Sequence, residues 1–293
     1  MNKKTVKFSD FYSPTPITWC TNCGNYGIQA ALKRALVEEE IQPKDAVVCY
    51  DIGCNGNGAD KMSGAYRIKG LHGRVVPLAI GTHLANRNLT VFATGGDGGM
   101  LNEGIHHLIH AVRSNYNIVC ILHNNSNFGL TTGQASCATK QGEKMYFAPD
   151  GIPEDTLNPA SLLLSMDPSF IARGFSGNVP HLTEVLRKAI RHKGLSFVEI
   201  LQSCPTYNKA TPHEWYMERV YDVNEVDGYD NTDIVAAREV VKDLEKKIAI
   251  GVIYQNKKKP TFYDRLANRK GIKTEIVDEV ESFDVTKMVE RFR

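Results

Sequence analysis

The chain has 293 residues, 42% of them apolar and 23% charged, with 24 glycines; that length can bury one large or two moderate cores, and the composition excludes disordered, collagenous and fibrous proteins. Lys and Arg number 35 against 33 Asp and Glu, a formal charge of +2, which lends no support to nucleic acid or an anionic membrane surface as a partner. No apolar run approaches the length of a bilayer span, and residues 1–12 carry basic side chains without an apolar h-region, so a soluble, cytoplasmic protein is expected.

In chain order, the first chemical feature is the CxxC of Cys20-Thr21-Asn22-Cys23, followed by a helical apolar face at Ile28, Leu32, Ala35 and Leu36. Residues 46–52 (AVVCYDI) read as a buried strand, with Cys54 just past its end, and His72 lies between Gly70 and Gly73. A second strand, 89–94 (LTVFAT), runs into Gly95-Gly96-Asp97-Gly98-Gly99, and a helix follows with Leu101, Ile105, Leu108, Ile109 and Val112 on one face. The strand at 118–123 (IVCILH) ends in Asn124-Asn125-Ser126-Asn127-Phe128-Gly129. A helix marked by Leu182, Val185, Leu186 and Ile190 precedes the strand 196–201 (SFVEIL), and Cys204-Pro205 comes directly after it. Strands alternating with helices predict an α/β fold with a doubly wound, mostly parallel sheet. A shift in composition past Trp215 divides the chain into a binding domain at 1–215 and a more charged extension at 216–293, which is expected to pack on the core or on a partner subunit. That extension should hold a helix over 232–246, a strand over 248–254 and a solvated basic run at 257–259.

Glycines at a strand-to-helix turn let the backbone approach a ligand, and N–H groups there face an anion such as a diphosphate. Asp97 adds what a bare glycine turn lacks, a hard metal ligand. Asn125 follows after one helix and one strand, so parallel strand ends can bring both side chains to one Mg²⁺. Seven cysteines are an odd count, and metal ligation or buried thiols fit them better than a disulfide framework. Cys20, Cys23, Cys54 and Cys204 are enough for a [4Fe–4S] cluster, though their spacing equally permits zinc. Cys49 and Cys120 fall inside strands as small hydrophobes, and Cys137 lies in a loop near the glycine turn. His106, His107 and His110 share a helix, where packing and capping explain them better than a metal does.

Gly96-Asp97-Gly98 with Asn125 resembles the thiamine diphosphate motif. Residues 95–134, together with LHGRVVPLAIGTHLAN at 71–86, are similar to the β subunit of 2-oxoacid:ferredoxin oxidoreductases, the similarity running from about Trp19 to about Thr261. The resemblance implies an enzyme that oxidatively decarboxylates a 2-oxoacid with coenzyme A and passes electrons through a [4Fe–4S] cluster to ferredoxin. It assigns Mg²⁺ to Asp97, Asn125 and the Asn127 carbonyl, and the cluster to Cys20, Cys23, Cys54 and Cys204. It lines the cofactor with Gly53, Cys54, Asn55, His72, Gly96, Asp97, Gly98, Gly99, Asn125, Asn127, Phe128, Gly129, Leu130 and Thr131, with His72 as the catalytic contact to thiamine. An α-type partner carrying the pyrimidine-binding domain, in an αβ or (αβ)₂ assembly, is also implied. The sequence departs from the family at Gly99, where Asp is common, at Thr21-Asn22, where Pro-Gly is usual, and at Phe128, where Tyr is frequent. The residues also admit two other functions: a thiamine-dependent decarboxylase or synthase without redox output, and a non-catalytic iron–sulfur carrier.

Overall fold

The computed structural model describes residues 5–281 and 284–292; the first four residues of the basic stretch at 1–12, and residues 282, 283 and 293 of the extension, lie outside it. Eight strands form one sheet: β1 (Ala46–Tyr50), β2 (Tyr66–Lys69), β3 (Thr90–Gly96), β4 (Val119–Asn124), β7 (Phe170–Phe175), β8 (Ser196–Leu201), β9 (Val220–Asp222) and β10 (Ile248–Gln255). The short strands β5 (Asn127–Phe128) and β6 (Gln134–Ala135) make a separate hairpin. The order across the sheet is β2-β1-β3-β4-β8-β7-β10-β9. Every pair from β2 to β7 is parallel, while β10 lies antiparallel to β7 and parallel to β9.

Alternation along the strands explains the two covered faces. Val48, Phe92, Ile121 and Val198 point to one side, against α1 (Asn25–Glu38), while Val47, Val91, Cys120 and Phe197 point to the other, against α2 (Val75–Ala85) and α3 (Ile105–Ser114). Of the remaining helices, α4 (Pro159–Leu164) joins the α2 face, and α5 (Val179–Arg191) packs on α1. Short helices α6 (His213–Met217), α7 (Ile234–Val240) and α8 (Thr286–Glu290) complete the described chain. A turn of π-helix, Gly98–Glu103, separates the glycine turn from α3, so the α-helix starts later than the sequence indicates.

The extension beyond residue 215 supplies β9 and β10 to the sheet. Its expected helix over 232–246 is a correction: α7 ends at Val240, because the Asp243 carboxylate accepts the N–H groups of Glu245, Lys246 and Lys247 and folds the chain into a turn. Among the described residues no helix is long and apolar enough to cross a membrane.

One buried ion pair ties the central strands together. Arg173 on β7 and Glu199 on β8 are direct cross-strand partners, 0% and 1% exposed, with Arg173 Nε donating to Glu199 Oε2 at 2.8 Å. The other carboxylate oxygen accepts from Asn124 Nδ2 at 2.8 Å. A buried pair broken on one side leaves an uncompensated charge. Glu199→Ala should therefore cost about 3–5 kcal/mol in chemical denaturation; a loss under about 1 kcal/mol would show that Arg173 finds compensation elsewhere.

Candidate active site

The strand order reverses around β1, with β2 on one side and β3 on the other, and ligands in open parallel sheets bind beyond the carboxyl ends at such a point. A cleft with about 510 Å³ of empty space opens there. All fourteen cofactor-lining residues expected from the sequence border it, from Gly53 and Cys54 after β1, through Gly96–Gly99 after β3, to Asn125 and Thr131 after β4. Four further residues line the cleft without having been expected: Asn25, Ile52, His123 and Gln202.

Asp97 is 1% exposed, and its Oδ1 accepts the Asn125 N–H at 3.4 Å while Oδ2 accepts from the Ser136 hydroxyl. Burial pushes the Asp97 carboxyl up to about 7, against the pull of these donors. Nearby, Asn127 Oδ1 is buried with no hydrogen-bond partner. A buried acceptor left unpaired is costly, so a carboxylate starved of positive charge and an orphaned amide oxygen together fit a hard cation. Ser136 carries no sequence signal, since only the fold brings its loop back to Asp97.

The glycines leave room that other side chains occupy. A Cβ on Gly98 would sit 2.4 Å from the Phe128 ring, so that ring closes over the turn. At Gly99 a Cβ would lie 2.1 Å from Asp51 Oδ2 and 3.0 Å from His72. Asp51, 0% exposed, thus fills the space of a side chain at 99. It accepts the N–H groups of Ile52 at 2.8 Å and Gly73 at 2.9 Å, and burial raises its carboxyl above the usual range. His72 Nδ1 lies 3.2 Å from Glu103 Oε2 and 3.9 Å from Asp51 Oδ1, without a well-directed hydrogen bond to either. The acid absent at 99 is therefore matched by one arriving from the end of β1.

The four cysteines gather on the same rim. Trp19 Nε1–H donates to the Cys54 carbonyl at 2.6 Å, and the Gly24 N–H donates to the Ser203 carbonyl at 3.2 Å, so the CxxC loop is pinned between the segments that carry Cys54 and Cys204. The loop is a turn closed by Cys23 N–H to Cys20 O at 3.1 Å, with Asn22 at φ 64°. That left-handed conformation is the one a glycine would supply, and Asn tolerates it. Burial pushes the Cys54 thiol up to about 12, and Cys23, Cys204 and Cys20 add to the rise. Burial likewise raises Cys23, with Cys204 and Cys20 contributing. Among the described residues no three His, Cys, Asp or Glu side chains are arranged to hold a metal ion.

Other cysteines and histidines stay outside this machinery. Burial raises Cys49 to about 11, Cys120 to about 12 and Cys137 to about 11, which makes all three poor nucleophiles. His106 and His107 lie against each other, with ring centres 3.9 Å apart and planes tilted by 46°.

Comparison with known proteins agrees with this geometry. Residues 51–200 match the thiamine pyrophosphate enzyme family, C-terminal TPP binding domain, and residues 204–271 match the C-terminal part of pyruvate ferredoxin oxidoreductase beta subunits. The chain is 38% identical to a 2-oxoacid:ferredoxin oxidoreductase subunit beta from Sulfolobus, over 87% of each chain. It is 30% identical to the 2-oxoglutarate synthase subunit KorB of Archaeoglobus fulgidus, over 80% of this chain and 89% of that one. Among solved structures, a 2-oxoglutarate:ferredoxin oxidoreductase from Magnetococcus marinus, with 2-oxoglutarate, coenzyme A and succinyl-CoA bound, superposes with a TM-score of 0.87 at 30% identity, covering 99% of this chain and 97% of that one.

The space shared by Asp51 and position 99 yields a direct test. Gly99→Ala should cost about 1–3 kcal/mol through overpacking. Gly99→Asp combined with Asp51→Gly, which moves a carboxylate rather than adding one, should cost less than Gly99→Asp alone in thermal unfolding. Equal losses would contradict the shared space.

Proposed function

The chain belongs to the β-subunit family of the 2-oxoacid:ferredoxin oxidoreductases, and from that membership we propose that its cleft holds thiamine diphosphate through Mg²⁺ while its four rim cysteines hold a [4Fe–4S] cluster. Cys54 is the observation that carries this reading, because it lines the cofactor cleft while its carbonyl is tied by the Trp19 indole to the loop that carries Cys20 and Cys23. A redox centre ligated there would adjoin the site of decarboxylation.

When bound, thiamine diphosphate supplies the electron sink for 2-oxoacid decarboxylation and the cluster a one-electron acceptor. The residues of this chain do the rest by holding and excluding. Asp97, Asn125 and the Asn127 carbonyl present oxygens to the cation, which supports neutralisation of a diphosphate in a site where burial alone leaves Asp97 poorly ionised. Gly96 and Gly98 let the backbone approach, and Phe128 screens the turn from water. His72, wedged between Asp51 and Glu103, is placed to contact the cofactor. Gly53, Asn55, Gly99, Gly129, Leu130 and Thr131 complete the lining.

In this reading coenzyme A accepts the acyl group and ferredoxin the electrons. An α-type partner supplies the pyrimidine-binding domain, because the eight-stranded sheet of the described residues is already committed to the diphosphate side and the cysteines.

Two variants separate the sites. Asp97→Ala should abolish Mg²⁺-dependent thiamine diphosphate binding in calorimetry while iron content is retained. Cys204→Ala should lose iron and ferredoxin reduction while binding of the diphosphate persists; full iron in Cys204→Ala, or unchanged affinity in Asp97→Ala, contradicts the assignment. The chain reconstituted alone with Mg²⁺, cofactor and cluster should show no 2-oxoacid-dependent viologen reduction, and robust turnover would refute the need for a partner.

A further inference from the structure

Between the cofactor cleft and the cysteines lies a run of buried polar groups. Asn25, 1% exposed, directs Nδ2 at the Cys23 sulfur at 3.5 Å, and its Oδ1 meets His123 Nδ1 at 2.9 Å. On the far side of the ring, His123 Nε2 meets Thr94 Oγ1 at 2.8 Å. A ligating thiolate has no proton to give, so Asn25 must turn its N–H toward Cys23 and its oxygen toward His123. His123 then carries its proton on Nδ1, and Nε2 accepts from the Thr94 hydroxyl. The order Thr94 to His123 to Asn25 to Cys23 satisfies each of these donors in turn, and only one tautomer and one amide orientation fit it. Gln202 Nε2 also reaches Cys23, at 3.6 Å, and its side chain faces His123 too, but its Oε1 makes no well-directed hydrogen bond, so it is held less firmly than Asn25.

We propose that Asn25 tunes the reduction potential of the cluster by donating a hydrogen bond to the Cys23 sulfur, with His123 as the positioning residue that holds the amide in the donating orientation. The proposal rests on the cluster reading above. Reduction adds negative charge to the cluster, and a donor aimed at a ligating sulfur stabilises that charge and raises the potential. In a dry site the effect is not shared with water, because Cys23, Asn25 and His123 are all under 10% exposed. His123 and Asn25 also border the cofactor cleft, so the amide that favours the reduced cluster stands on the side from which electrons arrive.

The test uses the complex with its partner subunit, purified anaerobically, assayed for iron and then titrated electrochemically with the electron paramagnetic resonance of the cluster as readout. Asn25→Ala should keep its iron and lower the potential by about tenfold in the one-electron equilibrium, or ~59 mV. His123→Leu, which removes no donor to sulfur, should shift the potential the same way by less, and the double variant should match Asn25→Ala alone because His123 acts through Asn25. Unchanged potentials in the single variants, additive shifts in the double, or loss of iron from both singles would each overturn the relay. If Asn25→Ala alone loses iron, His123→Leu decides, and an unchanged potential there overturns it. A wild-type complex without iron overturns the cluster reading itself, and the relay with it.

Discussion

Parallel alignment of β1, β3, β4 and β8 brings four strand ends to one rim, and the chemistry of this chain depends on that constraint. Each strand contributes a group just past its last residue: Asp51 and Cys54 after β1, Asp97 after β3, Asn125 after β4, Gln202 and Cys204 after β8. A turn pinned by Trp19 and Gly24 adds Cys20 and Cys23 to the same rim. Hard oxygen donors and soft sulfur donors thus lie side by side without any element dedicated to joining them. Cys54 and Asn25 are where the two sets meet.

Departures from the family pattern are matched by neighbouring side chains. Asn22 takes the left-handed backbone of a turn that glycine usually occupies, and Asp51 fills the volume facing Gly99. Phe128 lacks the hydroxyl of a tyrosine, yet its ring still packs over Gly98. In each case the local shape of the site is kept, and at Gly99 the filling group comes from another strand.

What was legible in the sequence was mostly local. A strand ending in Gly-Asp-Gly, followed by a strand ending in Asn, carries its own geometry for Asp97 and Asn125, and the other lining residues, which the family resemblance implied, border the same cleft. Continuous apolar runs marked β1, β3, β4 and β8, whereas β7 was hidden by Arg173 and Gly174, whose place in a buried strand makes sense only beside Glu199. The antiparallel docking of β10 on β7 is likewise a pairing of distant segments. Ser136, His123 and Asn25 escaped for a related reason: each has a partner far along the chain, Asp97 for Ser136, Thr94 for His123 and His123 for Asn25. Asp51 could have been found, since a carboxylate at the end of a buried strand beside a Cys-containing turn is out of place unless the rim uses it.

The central claim is that decarboxylation and electron capture share one rim. Its most direct measurement is anaerobic mixing of the assembled complex with a 2-oxoacid, in the absence of coenzyme A and ferredoxin, followed by electron paramagnetic resonance. A reduced [4Fe–4S] signal that requires both Mg²⁺ and thiamine diphosphate is the expected result; release of carbon dioxide at full rate with no reduced-cluster signal would contradict it.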